Sequence, residues 1–429
     1  MRGDPLVVIL HEGEDRRDDS RAPAFYRRPV RTAGSPKLTV PSYDAIILGA
    51  GGAGLMCAAA AGQRGRRVLV VDHADEAGRK ILISGGGRCN FTNIHAAPDR
   101  YLSANAHFSR SALSRYTPAD FIALVDRHGV AWHEKTLGQL FCDGSARQIV
   151  RMLLDECAAG GVEIALGQPI RSVDHADGRF SVAHGGRVSA APALVIATGG
   201  PSIPKIGATG FAYDLARRFG LKVVEPRPAL VPLTLGGEEA LFRSLAGVSA
   251  EVVARCGKAA FREAALFTHR GLSGPAILQI SSYWRRGETI AIDFLPDRAP
   301  GWATAAKRDR ARTQFRTLLG EALPARLAEA LGDRIGLAGD LGNLPDRVLA
   351  DAERRLAAWP FNPNGSEGFA KAEVTVGGIA TDALSQRTME ARAVPGLHAI
   401  GEAVDVTGWL GGYNFQWAWA SGQAAGQAI

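Results

Sequence analysis

Residues 43–73, YDAIILGAGGAGLMCAAAAGQRGRRVLVVDH, constrain the fold more than any other stretch of the chain. The apolar run Ala45–Leu48 predicts a buried strand, residues 53–62 a small-residue helix, and Val68–Val71 a second strand ending in Asp72. A strand, a crossover helix and a second strand within about 30 residues make a parallel βαβ unit. Gly49, Gly51 and Gly54 fall at the strand–helix junction in the spacing G-x-G-x-x-G. The first allows the tight turn, the second lets a pyrophosphate reach the backbone, and the third lets helix and strand pack closely. The helix N-terminus adds free N–H groups and partial positive charge for phosphates, and Asp72 is placed to accept hydrogen bonds from ribose hydroxyls. This is the signature of a dinucleotide site.

A second glycine-rich stretch follows, SGGGRCNFTN at residues 84–93. Three consecutive glycines are entropically costly, so they mark a place where the chain bends as only glycine allows or where something approaches the backbone. Beyond it, TPADFIALVDRHG and SARQIVRMLLDECAAGG predict helices opening on Thr and Ser caps, and VEIAL, IRSVDHADGRFSVAHGGRV and ALVIATGG read as short strands, the middle part a meander. From about residue 226 the pattern turns antiparallel or barrel-like, and residues 303–358 look helical. Near residue 370 the first pattern resumes. The simplest division is a disordered arm at 1–42, one nucleotide-binding domain split between 43–208 and 370–429, and an insert at 209–369.

The far end selects the nucleotide. GLHAIGEAVDVTGWLGGYN combines a strand, Gly401-Glu402, Asp405, and a Gly411-Gly412 turn opening the last helix. An extended FAD needs such a second contact region for its ribityl chain and ring: Asp405 could hold a ribityl hydroxyl, and the helix N-terminus could stabilise the negative charge of reduced flavin. ALVIATGG adds a strand leading to Thr198-Gly199-Gly200, as in flavoproteins of the glutathione-reductase-like fold.

Taken in order, GAGGAG, GRKILISGGGRCNFTN, ATGG, FTHRGLSGP, AEVTVGGIA and GEAVDVTGWLGGYNFQWAWASG resemble the BaiN-like family of FAD-dependent oxidoreductases, over residues 43–429. That family includes aminoacetone oxidase and a bile-acid dehydro-reductase. The resemblance implies an α/β architecture, a split glutathione-reductase-like FAD-binding Rossmann domain with an inserted β-barrel-like and helical domain. By motif position it implies that Gly49, Gly51, Gly54 and Asp72 hold the ADP half, with Arg79 and Lys80 along ribose and pyrophosphate. Gly85, Gly86 and Gly87 would pass close to the flavin. Gly401, Glu402 and Asp405 would flank the pyrophosphate and ribityl chain, and Gly412, Tyr413 and Asn414 would meet the ring. Phe211 stands after GATG where the family more often has an acid.

Flavin carries the electron chemistry, so the protein need add only orientation, electrostatics and a proton. Arg88 is a candidate for fixing an anionic substrate or reduced flavin. His269 and Arg270, on a Gly/Pro-rich loop, are candidates for the substrate surface and a proton. Asn90 and Asn93 suit either flavin contact or loop capping; Cys89 reads as a small buried residue rather than a redox thiol. Trp409, Trp417 and Trp419 read as core more than as a cleft wall. Five widely spaced cysteines without a CxxC pair argue against zinc and disulfides, and fit a cytoplasmic setting. The net charge of +7 is spread among interleaved acids, so nucleic acid is not the expected partner and no metal is expected. No apolar run reaches membrane-spanning length, and oligomeric state is not encoded legibly.

Only one G-x-G-x-x-G has the strand–helix setting, so either NAD(P)H docks transiently at the flavin or the substrate itself reduces the flavin and oxygen reoxidises it. The expected activity is hydride transfer from NAD(P)H through FAD to an unsaturated or carbonyl-bearing small molecule. The alternatives are an amine or alcohol oxidase using oxygen and, in another class, an RNA-associated flavoprotein.

Overall fold

The structure is a computed structural model that describes residues 41–429, so nearly all of the expected N-terminal arm lies outside the described residues. β1 (Ala45–Leu48), α1 (Gly52–Gly62) and β2 (Val68–Val71) form the expected unit. Every residue of both strands is buried, as in parallel strands covered on both faces. With β3 (Glu163–Ala165), β4 (Ala193–Ile196) and β5 (Leu397–Ala399) they make a five-stranded parallel sheet in the order β5–β4–β1–β2–β3. Leu194, Val195 and Ile196 align with Leu397, His398 and Ala399, so the two ends of the chain share one ladder. The meander at Ile170–Ala191 is a separate three-stranded antiparallel sheet.

α2 (Tyr413–Gly426) packs along α1, of which all residues but Gly52 are buried. A Cβ at Gly422 would lie 2.5 Å from the Ala53 carbonyl oxygen, and one at Gly426 2.5 Å from that of Cys57. Each pair is spaced four residues apart, on one helical face. The missing side chains let the two helix backbones touch. The N-termini of both helices border the same cavity.

The chain leaves this core along Val223–Ala229 and returns along Val374–Ile379, and these two strands pair antiparallel. Between them a seven-stranded antiparallel sheet and the helices Trp302–Asp309, Phe315–Ala322, Ala325–Ile335 and Asp346–Ala357 share a second buried cluster. The sheet's two edge strands, Trp359–Phe361 and Gly365–Ser366, are almost consecutive in sequence. The chain from Phe361 to Gly365 spans at most about 15 Å, whereas a flat sheet of this width would measure about 29 Å. The sheet is therefore not flat but curled, with its two edge strands brought toward each other. One boundary differs from the sequence reading: helix Phe211–Arg218, placed in the insert, buries Ala212, Tyr213, Leu215 and Ala216 in the first core. Its apolar stripe packs on the two crossing strands, so the crossing itself lies at Val223–Ala229.

Gly422→Val tests the helix contact. Overpacking there should cost about 1–3 kcal/mol, read as a lower urea midpoint of the apoprotein; an unchanged midpoint would show that the helices part freely.

Candidate functional site

The first glycine turn is built as its spacing requires. Gly49 has φ +112°, and a Cβ there would lie 2.6 Å from the Ala197 carbonyl oxygen. A Cβ at Gly54 would collide with the Gly49 carbonyl oxygen, so this third glycine serves packing and does not border the cavity. At Gly51 a Cβ would meet no protein atom within 4 Å; the glycine keeps space open. Gly51 caps α1 without a side-chain hydrogen bond or an acid in the first turn, which leaves N–H groups for an anion. Asp72 accepts from the Ala50 N–H at 2.7 Å and the Ala74 N–H at 2.8 Å. Its carboxylate thus shapes the turn itself, and each oxygen keeps a further lone pair.

The turn opens on a cavity of ≈ 680 Å³ running from Asp72 to Gly412, within the size range of cofactor sites. Gly85, Gly86 and Gly87 all occupy left-handed conformations, with φ of +57°, +66° and +86°. At Gly85 a Cβ would strike the Phe141 ring at 2.8 Å, while at Gly86 it would point into open space. Gly85 and Gly86 border the cavity; Gly87 does not. The triple glycine answers both demands, three successive left-handed residues that side chains would strain and a surface without side chains.

Along the cavity, Lys80 Nζ donates to Ser202 Oγ at 2.7 Å and pairs with Glu402. Glu402 also accepts from Ser202 Oγ at 2.7 Å and from the Thr375 N–H at 3.0 Å. Arg79 pairs with Asp75 and reaches the Ile206 carbonyl at 3.4 Å. Gly199 (φ +71°) and Gly401 (φ +63°) border the same space. The Thr198 hydroxyl is buried there without a protein partner. An uncapped helix end, glycines facing open space, an orphaned hydroxyl and a tethered cation fit the phosphates and hydroxyls of FAD.

At the other end Gly412 (φ +95°) opens α2, where a Cβ would collide with the Thr92 carbonyl oxygen. Asn414 accepts from the Gly408 N–H and donates to the Gly408 carbonyl, both at 2.9 Å, closing the turn beside the cavity. Asn93 donates to the Leu137 carbonyl at 3.0 Å and to that of Gly411 at 2.9 Å, so it braces loops. The side-chain amides of Asn90 and Gln139 bond each other at 3.0 Å on the cavity wall. Tyr413 and Asp405 lie outside the wall. Asp405 is 4% exposed and accepts from the Ala104 N–H at 2.9 Å, anchoring a loop; burial holds its carboxyl above the usual range.

The three expected catalytic side chains are not brought to the cavity. Arg88 is exposed just past the glycines. His269 and Arg270 form the tip of a hairpin in which Thr268 Oγ1 accepts from the N–H groups of Arg270 (3.2 Å) and Gly271 (3.1 Å). Arg270 sits 3.7 Å from the Glu367 carboxylate. Cys89 is fully buried with φ +52°, and burial pushes its thiol pKa far up. Trp419 is core, stacked on Phe121 at 4.5 Å; Trp417 both packs in the core and borders the cavity. Trp409 donates to the Tyr283 hydroxyl at 2.7 Å and carries the Arg100 guanidinium 4.4 Å from its ring centre.

Sequence reasoning missed Lys135, Gln139, Ser202, Glu263, Glu373 and Leu410 on the wall. Glu263 sits on the alternating strand Ala259–Phe267, where an acid reads as a solvated face. The half-buried carboxyl of Glu263 is raised, chiefly by burial, with the Gln279 hydrogen bond opposing the shift, whereas Glu373 is exposed to solvent on the wall, with Lys80 favouring its charged form.

Residues 43–428 match the family described as HI0933-like protein Rossmann domain. The chain is 51% identical over 400 residues to the ribosomal RNA dihydrouridine synthase of Escherichia coli (strain K12), covering 90% of this chain and 98% of the relative. It is 28% identical over 411 residues to the 3-dehydro-bile acid delta(4,6)-reductase of Clostridium scindens, covering 89% and 98%. Among solved structures, 3-ketosteroid delta1-dehydrogenase from Sterolibacterium denitrificans has a similar fold, with TM-score 0.50, 13% identity, and 91% and 99% of the two chains covered.

Gly86→Val should lower FAD affinity at least about tenfold, since both its strain and its bulk act at the cavity. Gly129 also has φ near +65° in open space, away from the cavity, so Gly129→Val carries the strain alone and should keep wild-type affinity. Flavin titration of the two folded apoproteins decides; equal affinities would make the glycine loop only a turn.

Proposed function

We infer the function from one premise: this chain belongs to the HI0933-like Rossmann-domain family. It is a flavoprotein oxidoreductase. We propose that it reduces the C5=C6 bond of a uridine in ribosomal RNA, with FAD as its cofactor and a reduced nicotinamide as the transient electron source. The observation that carries this reading is the 51% identity to an enzyme of that name, spread over 98% of that enzyme's length. The expectation that set nucleic acid aside is not supported beside so extensive a likeness, which favours the RNA-associated alternative instead. A pI near 9.3 is compatible with a polyanionic substrate.

The chemistry also agrees with the more distant relative. The C5=C6 bond of uracil is conjugated with the C4 carbonyl, and the relative's printed name describes a reductase of a bile-acid skeleton. The bile-acid likeness read from the motifs therefore points to the same reaction class, saturation of an activated double bond. FAD, when bound, supplies the two-electron hydride chemistry. Gly49, Gly51 and the N-terminus of α1 would hold the pyrophosphate, with Lys80, Ser202 and Glu402 beside it. Gly85, Gly86, Gly412 and Asn414 would border the ring. Asn90 and Gln139 offer amide donors and acceptors to a base edge, and Leu230, Pro275 and Leu410 add an apolar stretch of wall. No helix among the described residues is long and apolar enough to cross a membrane; we place the enzyme in the cytoplasm, where its proposed substrate is.

The purified protein should be yellow with FAD, bleach anaerobically with NADH or NADPH, and form dihydrouridine in ribosomal RNA taken from cells lacking the enzyme, as read by nucleoside mass spectrometry. Reduction of conjugated small molecules with RNA left untouched would replace this reading by the reductase first expected from the motifs.

A further inference from the structure

Reduction of an activated C=C bond needs a proton as well as a hydride, and the cavity narrows the choice of its source. No cysteine borders it. Asp72 and Glu402 are engaged as described, Glu76 pairs with Arg147 at 2.8 Å, and His73 lies 3.3 Å from Asp72 at the ribose end. Two carboxyls remain, Glu263 and Glu373. Glu373 is within the electrostatic reach of Lys80, at the Lys80–Glu402 part of the cavity. Glu263 is tied through a side chain of the insert to the loop that leads into α2. Gln279 Nε2 donates to Glu263 Oε1 at 3.4 Å, and Gln279 Oε1 accepts from the Leu410 N–H at 2.9 Å. Leu410 precedes the Gly411-Gly412 turn into α2, so a buried glutamine fixes the insert's carboxyl against the loop expected to border the flavin ring.

We propose that Glu263 is the acid that protonates the substrate carbon next to the carbonyl, with Gln279 as its positioning residue. The proposal rests on the reading of uridine reduction. The proton leaves the Glu263 carboxyl oxygen and forms the new C5–H bond with the electrons of the C5=C6 bond. C6 receives a hydride, two electrons and one hydrogen, from reduced flavin, and the carboxylate regains its proton from water. Burial and the negative charge of Glu251, on the paired strand Ser249–Cys256, keep this carboxyl protonated to higher pH than an exposed glutamate. Tyr413 of α2 is close enough to feel the Glu263 charge, neutral Gln279 faces it from helix Pro275–Ser281, and Glu373 borders the same cavity. Arg262, beside it on the strand, is turned to Asp297 at 2.7 Å.

Three readouts on Glu263→Gln, Gln279→Leu and Glu373→Gln test this. Glu263→Gln should keep its FAD and its rate of flavin reduction by NADPH, while dihydrouridine formation in a single turnover falls at least about 100-fold. In apoprotein with carbon-13-labelled glutamate, one carboxyl titrating above the ordinary range should vanish in Glu263→Gln and move higher still in Gln279→Leu. Glu373→Gln should retain that signal. Wild-type turnover in Glu263→Gln, or disappearance of the high-titrating carboxyl in Glu373→Gln and not in Glu263→Gln, overturns the proposal. Failure of the RNA reading looks different: wild-type enzyme then leaves the RNA unreduced while the Glu263 carboxyl still titrates high.

Discussion

Two helix backbones in contact hold the site together. Gly422 against Ala53 and Gly426 against Cys57 bring the last helix of the chain onto the first. Their N-termini, at Gly51 and Gly412, then border one cavity although some 360 residues separate them. Each terminus presents unpaired N–H groups, and neither carries a side-chain cap. A side chain at either glycine would push the helices apart and pull one positive end away from the other. The β4–β5 ladder reinforces the contact on the sheet, but the helix seam sets the distance that a long cofactor must span.

Around that frame the protein satisfies its own turns before any ligand arrives. Asp72 holds the Ala50 N–H, Asn414 closes the turn at Gly408, and Asn93 ties Gly411 to Leu137. Loops fixed in this way need little ordering when a ligand binds, and that saves affinity otherwise lost to entropy. The insert contributes to the same rigidity: Gln279 and Tyr283 hold Leu410 and Trp409 from the outside.

What the sequence made legible were local backbone demands. Gly49, the run Gly85–Gly87 and the Gly411-Gly412 turn need glycine for their positive φ, a local demand, and the spacing of Gly51 and Gly54 is legible as a motif although what they approach lies outside it. The order of strands and helices carries the split domain for the same reason. Side chains delivered across the fold were not legible. Glu263 reads as the solvated face of an alternating strand, and only folding of the insert turns it to the cavity. His269 and Arg270 erred the other way: a Gly-rich loop suggested a substrate surface, but Thr268 closes it as a hairpin tip. Asp405 has the spacing of a cofactor ligand, yet its carboxylate spends its bond on the Ala104 backbone.

The crossing strands Val223–Ala229 and Val374–Ile379 have a consequence for how such enzymes diversify. Because they are ladder partners, the sequence between them enters and leaves at points roughly 5 Å apart. Any unit whose ends lie that close can occupy the same socket without rethreading the parallel sheet. The half that grips the nucleotide can thus stay constant while the half bearing Glu263 and Gln279 is exchanged as one piece.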